Sequence, residues 1–178
     1  MAERGGSSKM SFDSCLPVIL KFEGGYSCDP SDRGGATCHG ITQKAYDSFR
    51  WPLPSEPVKG ISDDDVADIY RLEYWDKVQG NSLPSPVDLV VFDSAVNVGV
   101  KRASRWLQAA VKVSPDGVIG KQTLMAVQSL DPVQVAEAVL DMRQDFYNDF
   151  VEFDPSQSRF LRGWLNRIAD LRKGLRNG

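Results

Sequence analysis

The sequence has little of what several common kinds of functional site require. His39 is the only histidine among the 178 residues, and the three cysteines form no Cys-x-x-Cys pair. A zinc site or a Ser-His-Asp triad is therefore not expected. No apolar run approaches the roughly 18 residues of a membrane-spanning helix. The formal net charge of -3 gives no whole-molecule attraction to nucleic acid. We predict a chain with no metal, no cofactor and no nucleic-acid partner.

The first ten residues, MAERGGSSKM, are polar and lack the apolar segment of a Sec signal peptide. We expect residues 1–10 to be a disordered leader, either native or left from cloning. The length fits one domain, or one domain with a small appended lobe. We predict one lobe over residues 11–112 and a C-terminal helical lobe over residues 113–178, packed into one globular, monomeric unit.

A glycine-rich loop with several acids, residues 22–42, is the most informative stretch. An apolar pattern with helical spacing precedes it, and Gly24-Gly25 supplies the left-handed residue that commonly ends a helix. Glu23 is thus predicted in the last helical turn. The helix dipole and the apolar helix there favour the protonated carboxyl and would raise its pKa. A carboxylic acid that stays protonated near neutral pH can act as a general acid.

Two further residues of this loop complete a possible hydrolytic site. Asp32 follows Glu23 by nine residues and Thr37 follows it by fourteen, across chain that can double back as a short hairpin. Two carboxyl groups with a hydroxyl beside the second match the requirements for hydrolysing a glycosidic bond. Asp29 is a rival for the second carboxyl. The alternative is that Glu23 is a solvated surface residue and that both aspartates are ordinary turn formers.

The motifs of this loop resemble those of a known family. Glu-Gly-Gly-Tyr at 23–26, Asp-Pro-x-Asp-x-Gly-Gly-x-Thr at 29–37 and Gly-Ile-Thr at 40–42 resemble the signature of glycoside hydrolase family 108, the phage and prophage N-acetylmuramidases. Later blocks resemble the family in the same order: YRLEYWDKV (70–78), FDSAVNVG (92–99), DGVIGKQT (116–123) and GWLNR (163–167).

The resemblance implies a mainly α, lysozyme-like helical fold in which a small β-hairpin or loop carries the active site. It also implies an endolysin that cleaves the β-1,4 bond between N-acetylmuramic acid and N-acetylglucosamine in peptidoglycan glycan strands. Glu23 carries over as the proton donor, and Asp32 with Thr37 as the pair that positions water. We expect inversion of configuration. A lytic transglycosylase and a non-catalytic protein that binds cell wall or assists secretion are the alternatives.

Four residues are predicted to contact substrate: Tyr26, Tyr74, Trp75 and Asn97. The Tyr74-Trp75 pair either stacks on a sugar ring or packs in the core, which is the commoner use of aromatic residues. Asn97 lies four residues after Asp93 in a very apolar helix, predicted over residues 87–98. It either contacts an N-acetyl group or joins Asp93 in a hydrogen-bond network that fixes the active-site loop.

Local signals predict where other helices begin and end. Pro17 lies either in the first turn of a helix that begins near Leu16 or at a kink. Thr42, Ser62 and Asp131-Pro132 are predicted helix starts. The acids after Ser62 thus have a structural purpose and are not read as a metal site. The turn at residues 116–123 is expected to be architectural. These starts predict helices that end near Trp51, near Tyr74 and at Phe150.

The last helix, predicted over residues 159–176, is basic and amphipathic. It could contact an outer membrane or lipid, although we favour its apolar stripe as part of the core. For localisation we expect synthesis in the bacterial cytoplasm and action in the periplasm or cell wall after holin-dependent release. A role in helping toxins cross the wall fits equally well. Cys28 and Cys38 could pair after export, whereas reduced thiols are the default in the cytosol.

Overall fold

The computed structural model describes residues 11–28 and 35–176, without the side chain of Arg176. The predicted leader at residues 1–10 lies outside them. The described residues form eight α-helices and one two-stranded antiparallel sheet. The expectation of a mainly α fold with a small hairpin is therefore confirmed. None of the described helices is both long enough and apolar enough to cross a membrane.

The chain forms two compact units, of which the first is Phe12–Glu73 and the second begins at Tyr74. The elements of the first unit are α1 (Phe12–Glu23), β1 (Thr37–Cys38), β2 (Ile41–Thr42), α2 (Gln43–Arg50), a 3-10 turn (Val58–Gly60) and α3 (Asp63–Tyr70). A π-helical turn, Arg71–Trp75, leads into the second unit.

The second unit contains the longer helices. Its elements are a 3-10 turn (Gly80–Ser82), α4 (Val87–Val98), α5 (Val100–Ala110), α6 (Lys121–Gln128), α7 (Pro132–Phe153), a 3-10 turn (Pro155–Gln157) and α8 (Ser158–Arg176). The boundary predicted from sequence, between residues 112 and 113, lies inside this unit. That division of the chain into lobes remains a prediction.

Polar caps start three helices where the sequence predicts them. The side chain of Thr42 accepts a hydrogen bond from the backbone of Ala45 at 3.2 Å, and that of Ser62 accepts one from Asp65 at 3.1 Å. The carboxylate of Asp131 accepts from the backbone of Gln134 at 3.0 Å. Each cap satisfies a donor that the first turn would leave unpaired. The local sequence is thus sufficient to set these helix starts.

Helix α1 begins at Phe12 and passes through Pro17. Of the two predictions, the one that started this helix near Leu16 is therefore wrong. Pro17 is exposed, and the carbonyl of Asp13 that loses its helical partner belongs to an exposed residue that water can reach. The helix buries Phe12, Cys15, Leu16 and Ile19 on one face. Burial of this stripe stabilises the helix in spite of the proline.

Helix α4 forms the centre of the second unit. Every residue from Val87 to Ala95 is buried, and the helix packs against α5 and α7. Its nearly uniform apolar sequence suits a position covered on all sides. The prediction of an enclosed helix over residues 87–98 is confirmed.

Helix α8 uses its apolar stripe in the core, as we favoured. Ile168, Leu171 and Leu175 are buried. Arg172 donates hydrogen bonds to Glu137 and Gln144 of α7 at 3.0 Å. Part of the positive charge of this helix is thereby neutralised by its neighbour. The predicted contact with lipid remains a prediction.

The turn between α5 and α6 is held by one buried side chain, Gln108. Its carbonyl oxygen accepts from the backbone of Gly117 at 2.8 Å, and its amide donates to the Asp116 carboxylate at 2.7 Å. The same carboxylate accepts from the backbone of Val118 at 2.8 Å. The bond from Gln108 is the largest cause of a lowered pKa at Asp116. These bonds support the architectural role predicted for this turn.

Candidate active site

Glu23 is the last residue of α1, as the sequence predicts. Gly24 follows with a φ of +72°, the left-handed conformation that ends helices most easily at glycine. The side chain of Glu23 is half-buried. A carboxyl group therefore stands at a helix C-terminus with part of its surface open.

The chain after Glu23 doubles back as a hairpin, as expected. Ser27 and Thr37 exchange two backbone hydrogen bonds, both of 2.9 Å. Thr37 also pairs with Thr42 in the two-stranded sheet, so it lies between two neighbouring segments of backbone. Within residues 11–28 and 35–176, its hydroxyl donates one long hydrogen bond of 3.5 Å, to the carbonyl of Ser27. The Thr37 side chain is half-buried at the centre of this small structure.

The turn between β1 and β2 touches Glu23 directly. It consists of His39 and Gly40, whose φ values of 50° and 73° are both positive, as a type I′ hairpin turn requires. A Cβ placed on Gly40 would lie 3.0 Å from Oε2 of Glu23 and 3.2 Å from the hydroxyl oxygen of Tyr70. The hairpin turn therefore packs against the Glu23 carboxyl group, and a side chain at residue 40 would displace it.

Tyr70 fixes this turn from α3. Its hydroxyl donates a hydrogen bond of 2.7 Å to the carbonyl of His39, and its side chain is buried. His39 thus contributes its backbone to the site and no catalytic base is assigned to it. Sequence analysis missed both Tyr70 and Gly40 as parts of the site. The Tyr70–His39 bond joins residues 31 apart, so no local pattern announces it.

Asp32 and its rival Asp29 lie outside the described residues. Their predicted roles therefore stay predictions. Thr37 precedes Gly40 by three residues on the same hairpin. The structure thus brings Glu23, Gly40 and Tyr70 together, and it places Thr37 on the hairpin whose turn contacts Glu23.

Tyr26 has an accessible ring close to two thiols. Its side chain is 44% exposed, and Nζ of Lys59 lies 5.4 Å from the ring centroid. A side-chain hydrogen bond with Cys28 is the largest cause of a raised pKa at Tyr26, and Cys38 also contributes. Cys28 is exposed and Cys38 is buried, and both are free thiols in this structure. The substrate contact predicted for Tyr26 remains a prediction.

Trp75 belongs to the core and offers no face to a sugar. It is completely buried, its indole nitrogen donates to Asn81 at 3.1 Å, and its ring packs edge-on to Phe92 with the centroids 5.2 Å apart. Trp75 therefore packs in the core, as one of its two alternatives predicted, and its predicted contact with substrate is wrong. Tyr74 is half-buried, and its substrate contact remains a prediction.

Asn97 is part of an internal network, the second of its two alternatives. Its side-chain oxygen accepts from the hydroxyl of Tyr147, which in turn accepts from Nε of Arg143 at 3.1 Å. Arg143 donates to Asp93 at 2.6 Å, and Arg167 donates to the same carboxylate at 2.8 and 3.0 Å. These partners come from α7 and α8. The predicted link between this network and the active-site loop remains a prediction.

Similar proteins identify the family of this chain. Residues 16–99 match the family model described as Glycosyl hydrolase 108, and residues 102–169 match one described as Predicted Peptidoglycan domain. A solved structure, described as the structure of Brucella abortus SagA, is 34% identical, with 92% of each chain covered and a TM-score of 0.77. The chain belongs to the glycosyl hydrolase 108 family.

Family 108 membership confirms the lysozyme-like, mainly α fold expected from the resemblance. It identifies a glycoside hydrolase that acts on peptidoglycan. No curated protein matches the sequence significantly. The family match includes Glu23 and the hairpin, whereas the peptidoglycan match begins in α5.

Proposed function

We propose that this protein is an N-acetylmuramidase of the lysozyme type, which hydrolyses the β-1,4 bond between N-acetylmuramic acid and N-acetylglucosamine. The contact between the half-buried Glu23 carboxyl and the hairpin turn at Gly40 carries the proposal. A half-buried carboxyl group that contacts a backbone turn and keeps part of its surface open suits a group that gives its proton to a leaving oxygen.

The proposed reaction uses two carboxyl groups in different roles. Glu23 gives its proton to the glycosidic oxygen as the bond to C1 of the muramic acid breaks, and the N-acetylglucosamine leaves with a free hydroxyl. A water held by Asp32 and Thr37 attacks C1 and gives its proton to Asp32. The product is a reducing muramic acid end. Carboxyl groups about 6.5–9.5 Å apart would invert the anomeric configuration, and inversion is our prediction.

The described contacts support the role of Glu23 in two ways. Gly40 leaves the space beside Oε2 of Glu23 unfilled by any side chain of its own, and the hydroxyl of Tyr70 holds the turn that approaches the carboxyl. Preorganisation of this kind reduces the motion needed to reach the reactive geometry.

Because peptidoglycan lies outside the inner membrane, we place the reaction in the periplasm or cell wall. Release through a holin remains a prediction.

The deciding experiment is mass spectrometry of fragments released from purified peptidoglycan. Wild type should release reducing muramic acid ends. Glu23→Gln should lower the rate by about 10²- to 10⁴-fold, the usual contribution of a general acid. Asp32→Ala should also be severely impaired. Glu152→Gln, a change at an exposed glutamate of α7, serves as the charge-matched control and should act like wild type.

Other products would indicate a different activity of this protein. Anhydro ends, with activity kept in Asp32→Ala, would mean a lytic transglycosylase. Binding to peptidoglycan without any release of fragments would mean a non-catalytic wall-binding protein. Circular dichroism of Glu23→Gln must match wild type, so that lost activity is not confused with lost structure.

A further inference from the structure

A basic pocket of about 450 Å³ lies at the start of α5, in the second unit. Its lining comprises Val98, Gly99, Lys101, Arg102, Arg105 and Trp106. Three cations thus surround one cavity in a chain whose formal net charge is -3. The chemistry proposed for Glu23 and the hairpin uses none of these residues.

The three cations lack acidic partners at close range. Among the residues that the structure describes, none of them forms an ion pair with a carboxylate, unlike Arg143, Arg167 and Arg172 of the same unit. The charge of Arg105 is one of the causes that lower the pKa of the Asp116 carboxyl. That carboxylate already accepts bonds from Gln108 and Val118. The pocket therefore holds an excess of positive charge.

Packing against neighbours, and not ion pairing, positions these side chains. The guanidinium carbon of Arg102 lies 4.2 Å from the centroid of the Phe146 ring, and that ring lies 5.7 Å from Trp106. A Cβ on Gly117 would lie 2.8 Å from Cγ of Lys101 and 3.5 Å from Nε of Arg105. Contacts with Phe146 and with the Gly117 turn thus hold parts of these three side chains in place. Such preorganisation lowers the entropy lost when a ligand binds.

The side chains, and not the backbone, supply the positive charge of this pocket. Helix α5 begins after Gly99, but helix α4 ends at Val98, so the partial charges of the two helix ends oppose each other here. The three cationic side chains beside Trp106 favour a small anion next to an apolar wall.

We infer that this pocket binds a carboxylate of the peptidoglycan stem peptide. The inference rests on the proposed function, because it takes peptidoglycan as the substrate. Stem peptides carry free carboxylates beside short apolar side chains, which match guanidinium groups and an aromatic wall. The segment matched to a predicted peptidoglycan domain begins at residue 102, within this pocket. The pocket is therefore a second point of attachment, separate from bond cleavage.

The test measures binding without cleavage, in the Glu23→Gln background. The pocket variant adds Lys101→Met and Arg105→Gln, of which the first keeps the methylene that packs on Gly117. The control adds Lys121→Gln and Arg162→Gln, which remove the same charge from exposed residues of the same unit outside the pocket. Each protein is titrated with intact peptidoglycan sacs, with sacs stripped of stem peptides by an amidase, and with soluble muramyl tripeptide.

The pocket variant should bind intact sacs and muramyl tripeptide at least about tenfold more weakly than the control, as expected for the loss of charge-assisted contacts. On stripped sacs the two proteins should bind alike. Raising the salt concentration from about 0.05 M to about 0.5 M should narrow the difference, because ions screen exposed charges. If the double variant does not fold, Lys101→Met alone is compared with Lys121→Gln.

Three results would overturn the inference. One is equal binding of pocket variant and control to intact sacs. Another is tight, pocket-dependent binding to sacs that lack stem peptides. The third is pocket-dependent binding to phosphatidylglycerol vesicles but not to muramyl tripeptide, which would assign the pocket to lipid phosphate.

The same proteins distinguish this inference from the proposed function. If the wild type releases no fragments but binding still depends on the pocket, the pocket assignment stands and the proposed muramidase activity is wrong. If the wild type releases fragments but the pocket variant and the control bind equally, the muramidase activity stands and the pocket assignment is wrong.

Discussion

Gly40 combines two properties at the candidate site. Its φ of +73° belongs to the left-handed region, which glycine adopts at little cost. The absence of a side chain also leaves room for Oε2 of Glu23 and for the hydroxyl of Tyr70. Gly35 has a similar φ of +70°, but no described atom lies within 4 Å of a Cβ built there. Substitutions at these two glycines can therefore be compared to separate the effect of backbone strain from the effect of contact with Glu23.

We predict that Gly40→Ala lowers the release of reducing ends by on the order of 10- to 100-fold, because its methyl group would move the Glu23 carboxyl. The change should also reduce the free energy of unfolding by about 1–2 kcal/mol through left-handed strain. Fragment release and urea unfolding measure the two effects.

Gly35→Ala is the matched control for this prediction. It carries the same strain without a new contact to any residue that the structure describes, so it should lose stability but keep more activity than Gly40→Ala. An equal loss of activity in both variants would show that backbone strain, and not the position of Glu23, limits the reaction.

At the level of single residues, the sequence predicted what local signals determine. The Gly24-Gly25 pair was enough to locate Glu23 at a helix end. Nothing local distinguished a buried Trp75 from one that stacks on a sugar, since both uses suit an aromatic residue. Tyr70 became visible only when α3 was placed beside the hairpin. Long-range contacts therefore account for what the sequence missed.

Among the elements, helices α4, α7 and α8 are joined through one buried carboxylate. Asp93 is completely buried and accepts hydrogen bonds from Arg143, also completely buried, and from Arg167, which is 7% exposed. Two cations thus share one anion. Nη2 of Arg143 has no hydrogen-bond partner among the described atoms. Among the described residues, Asp93 is therefore the carboxylate that pairs with the buried Arg143.

Asp93→Asn should destabilise the protein by about 3–5 kcal/mol, because it removes a buried anion that accepts hydrogen bonds from the completely buried Arg143. Urea unfolding followed by circular dichroism measures the change. Asp141→Asn is the control, since this exposed carboxylate pairs with Arg172 at the surface and should cost less than about 1 kcal/mol. Similar losses in the two variants would contradict the importance assigned to the buried cluster.

Helix starts were predictable for a different reason from the cluster. Caps such as Ser62 and Asp131 act within three residues, so the sequence alone reveals them. The ligands of Asp93 lie 50 and 74 residues away. Their pairing depends on how α7 and α8 pack against α4. The prediction for α8 favoured its apolar stripe as part of the core, but it did not identify Arg167 as a buried residue.

For the whole molecule, the boundaries indicated by sequence do not coincide with the compact units. The two family matches meet between residues 99 and 102, at the junction of α4 and α5. The lobe boundary predicted from sequence follows α5, at residue 112. Both points lie within the second compact unit, which begins at Tyr74. Sequence families record which segments are inherited together, and they do not record which helices bury one another.

Fragments 1–112 and 113–178 should therefore not fold independently. The first would keep α4 but lose α7, exposing apolar side chains that each contribute about 1.5–3 kcal/mol when fully buried. The second would keep Arg143 and Arg167 without Asp93.

We expect weak near-ultraviolet circular dichroism, dye binding typical of loosely packed states and no cooperative urea transition in either fragment, in contrast to the full chain. Mixing the fragments should restore part of the native signal. A cooperative transition in 113–178 alone would instead establish an autonomous C-terminal lobe, because it would show that burial within α6 to α8 suffices without α4.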